Sequence, residues 1–230
     1  MNKFILSTSI LSALTISTSA VLANQAVNTK KTPTQQRFSW ASIAEVLFNT
    51  KKPPVEPRKG GSRGDICMIS PDKPNKTRIV WSDRPLFLWQ GRVQKIALRT
   101  QGSNKDIWSQ AVTTETQNIT YTGQLLQPGQ VYAWVVNSSM FIPFQVMEAQ
   151  QRDRISAELQ TLENQLKAKG EHTEAIALAK ANYFAKNQLW SDVLQQIYSV
   201  PKPELNQIRQ EISNKLCSTQ SLQSDNSTTH

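Results

Sequence analysis

The sequence predicts a mixed α+β protein in which an antiparallel β-sandwich precedes a small helical unit. Residues 65–148 contain short strand-like runs, in which successive side chains point to opposite faces. Pro, Gly, Asn and Asp separate these runs, and the runs are spaced as in an immunoglobulin-like or fibronectin-like sandwich. From residue 149 onward, apolar residues recur every three or four positions, as they do on helices. This change of period predicts a sandwich over residues 65–148 and a helical unit over residues 149–217.

The first residues have the three parts of a secretory signal peptide. Met1 to Lys3 is short and basic, Phe4 to Ala20 is apolar, and Val21-Leu22-Ala23 offers small residues for cleavage. A transmembrane anchor is the alternative, but Ser and Thr side chains dilute the apolar run. We therefore expect residues 1–23 to be removed, and the mature protein to be periplasmic or secreted without spanning the membrane.

Most of the formal net charge of +9 comes from one segment. Residues 24–64 carry eight basic and two acidic side chains, whereas residues 149–230 carry nine of each. Because an export signal argues against nucleic acid, this basic flexible segment is interpreted as a solvated linker or as a contact for an anionic glycan or lipid surface.

A short amphipathic helix is predicted over residues 39–49, inside the basic segment. Ser39 is a suitable N-cap, and four apolar side chains share one face at helical spacing: Trp40, Ile43, Val46 and Leu47. This helix either docks on the folded part or binds a partner or membrane surface. The Pro and Gly residues that follow it predict a linker without regular structure.

The stretch LLQPGQVYAWVV, residues 125–136, is the clearest strand signal. Its Pro-Gly turn precedes a strand with apolar side chains on both faces, as expected for an interior strand. Eight strands are predicted in all: Ile66 to Ile69, Arg78 to Trp81, Leu86 to Trp89, Val93 to Arg99, Trp108 to Thr113, Asn118 to Thr122, Val131 to Val136 and Ile142 to Met147.

Four helical segments are predicted after the strands. A seam of Ile155, Leu159, Leu162 and Leu166 ends at Gly170, and a last helix carries apolar residues from Leu205 to Leu216. Between them, Gly170 to Pro203 contains two helices and a closing Pro, and this block resembles one tetratricopeptide-like unit. Residues 218–230 are polar and are predicted to be disordered.

No catalytic motif is found, and the protein is predicted not to be an enzyme. Only two histidines are present, His172 and His230, and neither has a neighbour that completes a triad or metal site. No cofactor or metal site is predicted. A hydrolase that uses loop carboxylates is one functional hypothesis, and it would rely on Asp65, Asp72, Asp83 and Asp106.

Two further residue sets are candidate sites. Cys67 and Cys217 are the only cysteines, and an oxidising compartment allows them to pair, although their spacing alone does not decide whether they do. The aromatic residues of the sandwich either fill its core or stack on a glycan. The candidate stacking residues are Trp81, Trp89, Trp108, Tyr132 and Trp134.

Four strings resemble, in the same order, a secreted cyanobacterial family called domain of unknown function 928. They are GGSRGDICMISP, TRIVWSDRPLFLWQG, LLQPGQVYAWVV and AIALAKANYFAKNQLWSDVLQQIYSV. The positions that carry the resemblance are Arg63, Gly64 and Cys67, then Pro85, Phe87 and Trp89, then Gly129, Tyr132 and Trp134, and finally Leu189 and Trp190. The resemblance implies an architecture and a compartment, but no activity, cofactor or catalytic residue.

Two functional hypotheses follow from these patterns. The first is a non-catalytic envelope protein that acts as a protein-protein interaction module, with an unidentified protein partner. The alternative is a cell-wall or glycan-binding module that uses exposed aromatic residues and the basic segment. The exposure of the aromatic side chains distinguishes the two.

Overall fold

The computed structural model describes residues 39–48, 58–59, 66–72 and 76–218, which belong to one compact unit of the chain. The α+β class is confirmed, because these residues form two sheets and five helices. The predicted signal peptide, most of the basic segment and residues 219–230 of the predicted tail lie outside the described residues. The predicted division at residue 148 falls between the last strand and the helix that follows it.

The strands form one sheet of four and one sheet of five. The four-stranded sheet has the order β1-β2-β4-β7, where β1 is Arg58–Lys59, β2 is Cys67–Ser70, β4 is Leu86–Gln90 and β7 is Asn118–Thr120. The five-stranded sheet has the order β3-β9-β8-β5-β6, where β3 is Arg78–Val80, β5 is Lys95–Thr100, β6 is Trp108–Ala111, β8 is Val131–Val136 and β9 is Met140–Val146.

Two strand pairings differ from the sequence-based expectation. Strand β3 pairs with β9 in parallel, whereas a purely antiparallel arrangement was predicted. Strand β1 lies in the segment that was predicted to lack regular structure, and it pairs with β2 through Arg58 and Lys59. Two residues are too few to produce an alternating pattern, so the sequence contained no signal for β1.

The interior position predicted for residues 131–136 is confirmed, because β8 lies between β9 and β5. Trp134 is fully buried, and its ring stacks on Phe87 of the four-stranded sheet with 5.2 Å between the ring centroids. Its indole N–H donates to the carbonyl oxygen of Pro71 at 3.1 Å. Side chains of both sheets therefore share one buried cluster around Trp134.

The five helices are α1 (Trp40–Phe48), α2 (Ala149–Ala168), α3 (Thr173–Lys186), α4 (Trp190–Ser199) and α5 (Glu204–Ser218). Their apolar side chains form a second buried cluster, which also contains side chains of β2 and β4. Consecutive side chains of a strand point to opposite faces, so β4 contributes to both clusters. Phe87 and Trp89 face the five-stranded sheet, whereas Leu86 and Leu88 face the helices.

A buried carboxylate joins α4 to the loop that follows β3. Asp192 is 2% exposed, and its two oxygens accept the backbone N–H groups of Trp81 and Ser82, each at 2.9 Å. Burial raises the pKa of Asp192 to about 6, against the opposing effect of these two hydrogen bonds. The carboxylate thus satisfies two backbone donors that the packing of α4 removes from water.

Helices α2 and α3 contact the same loop through Arg152 and Trp81. The guanidinium of Arg152 donates to the carbonyl oxygen of Trp81 at 3.1 Å and pairs with Asp83 at 2.5 Å. The indole N–H of Trp81 donates to Ser156 Oγ at 3.2 Å, and its ring lies 5.4 Å from that of Phe184. Residues 81–83 therefore connect three helices to the sheets.

Replacing Trp134 with Ala should lower the free energy of unfolding by about 3 kcal/mol, because it removes a fully buried aromatic ring. Trp134→Phe keeps a ring but leaves the buried carbonyl of Pro71 without its donor and removes part of the buried indole, and should cost about 2 kcal/mol. Urea denaturation of both variants measures the two losses. An unchanged unfolding midpoint for Trp134→Ala would contradict the burial of this side chain.

Replacing Asp192 with Asn should change how stability depends on pH. The pKa of Asp192 is about 6 in the folded state, whereas its ordinary value is 3.8, so between these pH values the folded state binds more protons and the wild type loses stability as pH rises. The free energy of unfolding falls by about 3 kcal/mol over this range, because each pKa unit corresponds to about 1.36 kcal/mol. Urea denaturation from pH 4 to 7 should show a flatter profile for Asp192→Asn, and equal slopes would refute this assignment.

Candidate functional site

Helix α1 is fixed at its start by reciprocal hydrogen bonds between two serines. The N–H of Ser42 donates to Ser39 Oγ at 3.1 Å, and the N–H of Ser39 donates to Ser42 Oγ at 3.0 Å. The capping role predicted for Ser39 is therefore confirmed. These bonds satisfy donors that the first helical turn leaves without an intrahelical partner.

The buried face of α1 differs in one residue from the predicted face. Trp40, Ile43, Ala44 and Leu47 are buried, whereas Val46 is 47% exposed. At 100° per residue, position 46 lies about 110° around the helix from the centre of the buried stripe, and this explains its exposure. Helix α1 thus docks on the helical cluster, one of the two arrangements expected from its sequence.

Helix α5 packs beside α1 and is covalently attached to the four-stranded sheet. Leu205, Ile212 and Leu216 are buried in the helical cluster. Cys217 forms a disulfide with Cys67 of β2, with 2.06 Å between the sulfur atoms. The bridge joins residues 150 positions apart and holds the C-terminal part of α5 against the sheet.

A groove of about 450 Å³ lies between α1 and α5 and is the candidate site. Its apolar surface consists of Ala41, Ala44, Phe48 and Ile208. Its polar side chains are Glu45, Glu204, Gln207, Glu211 and Lys215. Among the described side chains that line the groove, three are acidic and one is basic, and they lie around an apolar floor.

Two contacts organise the polar side chains of the groove. The ammonium group of Lys215 lies 4.4 Å from the ring centroid of Phe48, a cation–π distance. The side-chain amide of Gln207 donates to Glu211 Oε1 at 3.1 Å. One end of the groove thus already holds an ammonium group against an aromatic ring.

The candidate stacking residues do not form a shared exposed platform. Trp89, Tyr132 and Trp134 are buried, with at most 3% exposure. Trp81 and Trp108 are partly buried. Trp108 packs against the rings of Phe87 and Tyr121, and Trp81 lies at the junction with the helices.

The described loop carboxylates lie in different surroundings. Asp72 is buried, Asp83 pairs with Arg152, and Asp106 pairs with Lys95 and Arg99 at the five-stranded sheet. The hydrogen bond from Arg99 holds the pKa of Asp106 below its usual value. His172 immediately precedes α3, while Asp65 and His230 lie outside the described residues.

Among the described residues, no group of three or more His, Cys, Asp or Glu side chains is arranged to hold a metal ion. Within the same part of the chain, no helix is both long enough and apolar enough to cross a membrane. Comparison of the sequence with protein-family models finds no match, and comparison with curated proteins finds none either.

Sequence reasoning did not identify the groove, although part of the signal was present. Glu204, Ile208, Glu211 and Lys215 recur at spacings of four, three and four, so they share one face of α5. The missing information was the pairing of α1 with α5, because the two helices are far apart in the sequence. Neither helix alone reveals a concave surface.

Removing the disulfide by the double change Cys67→Ser and Cys217→Ser should destabilise the protein strongly. A 150-residue loop gives an entropic contribution of about 5 kcal/mol, which is an upper value for a real bridge. Urea denaturation with and without reductant measures the loss. Reductant should lower the unfolding midpoint of the wild type and leave that of the double variant unchanged. Equal unfolding midpoints for the wild type and the double variant in the absence of reductant would contradict this stabilisation.

Proposed function

We propose that this protein is a non-catalytic envelope protein that acts as a protein-protein interaction module. The groove between α1 and α5 is the single observation that carries the proposal, because it combines concavity, an apolar floor and polar side chains around it. The partner is a protein segment that places an apolar side chain on this floor. Helices α1 and α5 form the binding surface, and the disulfide to β2 holds α5 in place.

The proposal includes a finer description of the architecture. The two sheets are interpreted as an immunoglobulin-like or fibronectin-like sandwich, which is supported by the buried cluster that they share. Helices α3 and α4 pack against each other across a short connection and are interpreted as one tetratricopeptide-like unit. Such a unit cannot bury its own apolar face alone, and here its side chains share a cluster with α1, α2, α5, β2 and β4.

The proposed compartment is the periplasm or the exterior of the cell. The predicted signal peptide supports this location, as does the disulfide between Cys67 and Cys217, because such bridges persist in oxidising compartments. Membership of the secreted cyanobacterial family called domain of unknown function 928 is likewise a proposal. It rests on the four sequence strings alone, since no family model matches the chain.

The interaction module has more structural support than the glycan-binding alternative. Stacking on a sugar requires an exposed ring face, whereas Trp89, Tyr132 and Trp134 are buried. Trp108 is partly buried, and its indole N–H is 3.3 Å from Thr122 Oγ1. Because these rings pack within the protein, the groove is the better candidate for ligand binding.

Filling the groove should abolish partner capture. Gln207 is an exposed residue at the groove, and Gln207→Trp places a large ring there, while Gln165→Trp makes the same change at an exposed position of α2. Immobilised wild-type protein and both variants are incubated with envelope extract, and captured proteins are quantified by mass spectrometry. We expect a set captured by the wild type and by Gln165→Trp but lost with Gln207→Trp.

The proposal fails if no captured protein depends on the groove in this way. Thermal melting of both variants provides the control, because a matched melting temperature excludes unfolding as the cause of lost capture. A capture pattern that is identical for the wild type and Gln207→Trp would place the interaction elsewhere on the molecule.

A further inference from the structure

We infer that the outer face of the five-stranded sheet binds an acidic glycan, with the ring of a hexuronate stacked on Phe141 and its carboxylate beside Arg99. This site is separate from the α1–α5 groove, and the inference goes beyond the proposed function. Three observations support it: a sheet face that the helices leave uncovered, an exposed aromatic ring on that face, and an excess of positive charge beside the ring.

The outer face of the five-stranded sheet points away from both buried clusters. Leu98 of β5 and Ile142 of β9 belong to the cluster between the two sheets. Because successive side chains of a strand point to opposite faces, the adjacent Arg99 and Phe141 point outward. Among the described residues, the helical cluster contains no side chain of β5, β8 or β9. The described helices therefore leave this face uncovered.

One exposed aromatic ring lies on this face. Phe141 is 48% exposed, and its cross-strand neighbour on β8 is Val135. Val135 also points outward, yet it is only 1% exposed, so larger neighbouring side chains lie across it. A ring that covers Val135 with one side presents its other side to solvent, in agreement with the exposure of about half of Phe141. An exposed ring face is what stacking on the apolar side of a sugar requires.

Two basic side chains share one carboxylate on the same side of the sheet. Asp106 accepts a hydrogen bond from Arg99 Nε at 2.6 Å and pairs with the ammonium group of Lys95 at 3.2 Å. The hydrogen bond from Arg99 lowers the pKa of Asp106, so its carboxyl group is ionised at neutral pH. One positive charge of this group of three remains without a negative partner, and it favours an anionic ligand.

Arg99 brings the charge next to the exposed ring. Its guanidinium carbon lies 5.4 Å from the ring centroid of Phe141. Within the described part of the chain, Asp106 is the one hydrogen-bond partner of Arg99, and it is bound through Nε. The two terminal amino groups of Arg99 are therefore available to a ligand. Guanidinium groups bind carboxylates through two parallel hydrogen bonds, so a carboxylate at the edge of a stacked ring fits this position.

This arrangement favours an acidic sugar over a peptide. A hexuronate carries an apolar ring face and a carboxylate on the same ring, whereas a neutral sugar leaves the excess positive charge unmatched. An extended peptide gains affinity by pairing its backbone with a free strand edge. Strand β8 is hydrogen-bonded to β5 on one side and to β9 on the other, so the centre of this face offers no free strand edge.

Titration of the full chain with trigalacturonate tests this inference. The comparison ligands are the same trisaccharide with all three carboxylates methyl-esterified, and the acidic peptide acetyl-Glu-Ala-Glu-amide. Amide chemical shifts of the ¹⁵N-labelled protein report both the site and the affinity. We expect trigalacturonate to shift resonances of β5, β8 and β9, to bind more weakly as salt is raised, and to bind more tightly than the two comparison ligands.

Variants separate the contribution of the ring from that of the charge. Phe141→Leu keeps an apolar side chain beside Val135 but removes the ring, and should weaken trigalacturonate binding about fivefold. Lys95→Gln should weaken it about threefold, the size of one exposed ion pair, and Asp106→Asn should strengthen it by a similar factor. Lys169→Gln removes an exposed ammonium group immediately after α2, outside this face, and should leave the affinity unchanged. Melting temperatures of the four variants control for altered folding.

Equal affinity for trigalacturonate and its methyl ester, or shifts confined to residues outside β5, β8 and β9, would overturn the inference. So would the absence of any shift at millimolar trigalacturonate. Tighter binding of the acidic peptide would also overturn it, because the face would then recognise a protein carboxylate. An unchanged affinity in Phe141→Leu would refute stacking on the ring. None of these results changes the test of the α1–α5 groove, which depends on Gln207.

Discussion

The burial of strand β4 on both faces is the constraint on which the rest of the structure depends. Its first four side chains, from Leu86 to Trp89, are at most 3% exposed, so apolar groups must cover the strand from two directions. The five-stranded sheet covers one face and the helices cover the other. Without the helices, Leu86 and Leu88 would lie exposed on an open sheet face.

Polar and covalent links hold the helices against that face. The carboxylate of Asp192 binds two backbone N–H groups of the loop after β3, Arg152 binds the same loop from α2, and the disulfide holds α5 beside β2. An unpaired carboxylate in the position of Asp192 would be costly, so this link favours one placement of α4. The same packing positions α5 beside α1, and the groove between them follows from it.

Much of the fold could be predicted from local patterns, whereas the candidate site could not. The strand at Val131–Val136 follows a Pro-Gly turn, and the helices around Ile155 and Leu205 carry apolar residues every three or four positions. The run Leu86 to Trp89 is continuously apolar, which indicates burial but does not reveal what covers each face. Long-range pairings, such as α1 with α5 and β3 with β9, depend on tertiary contacts that no local pattern encodes.

The central claim is that sheets and helices form one cooperative structure that presents the α1–α5 groove. Native-state hydrogen exchange measured residue by residue tests it most directly, by comparing the opening free energies of buried amides in β4, β8 and α4 at increasing urea concentrations. The account predicts that the most protected amides of all three elements converge on the same global unfolding free energy. If the amides of α4 exchange through local unfolding of that helix, while those of β4 and β8 remain protected, the claim is contradicted.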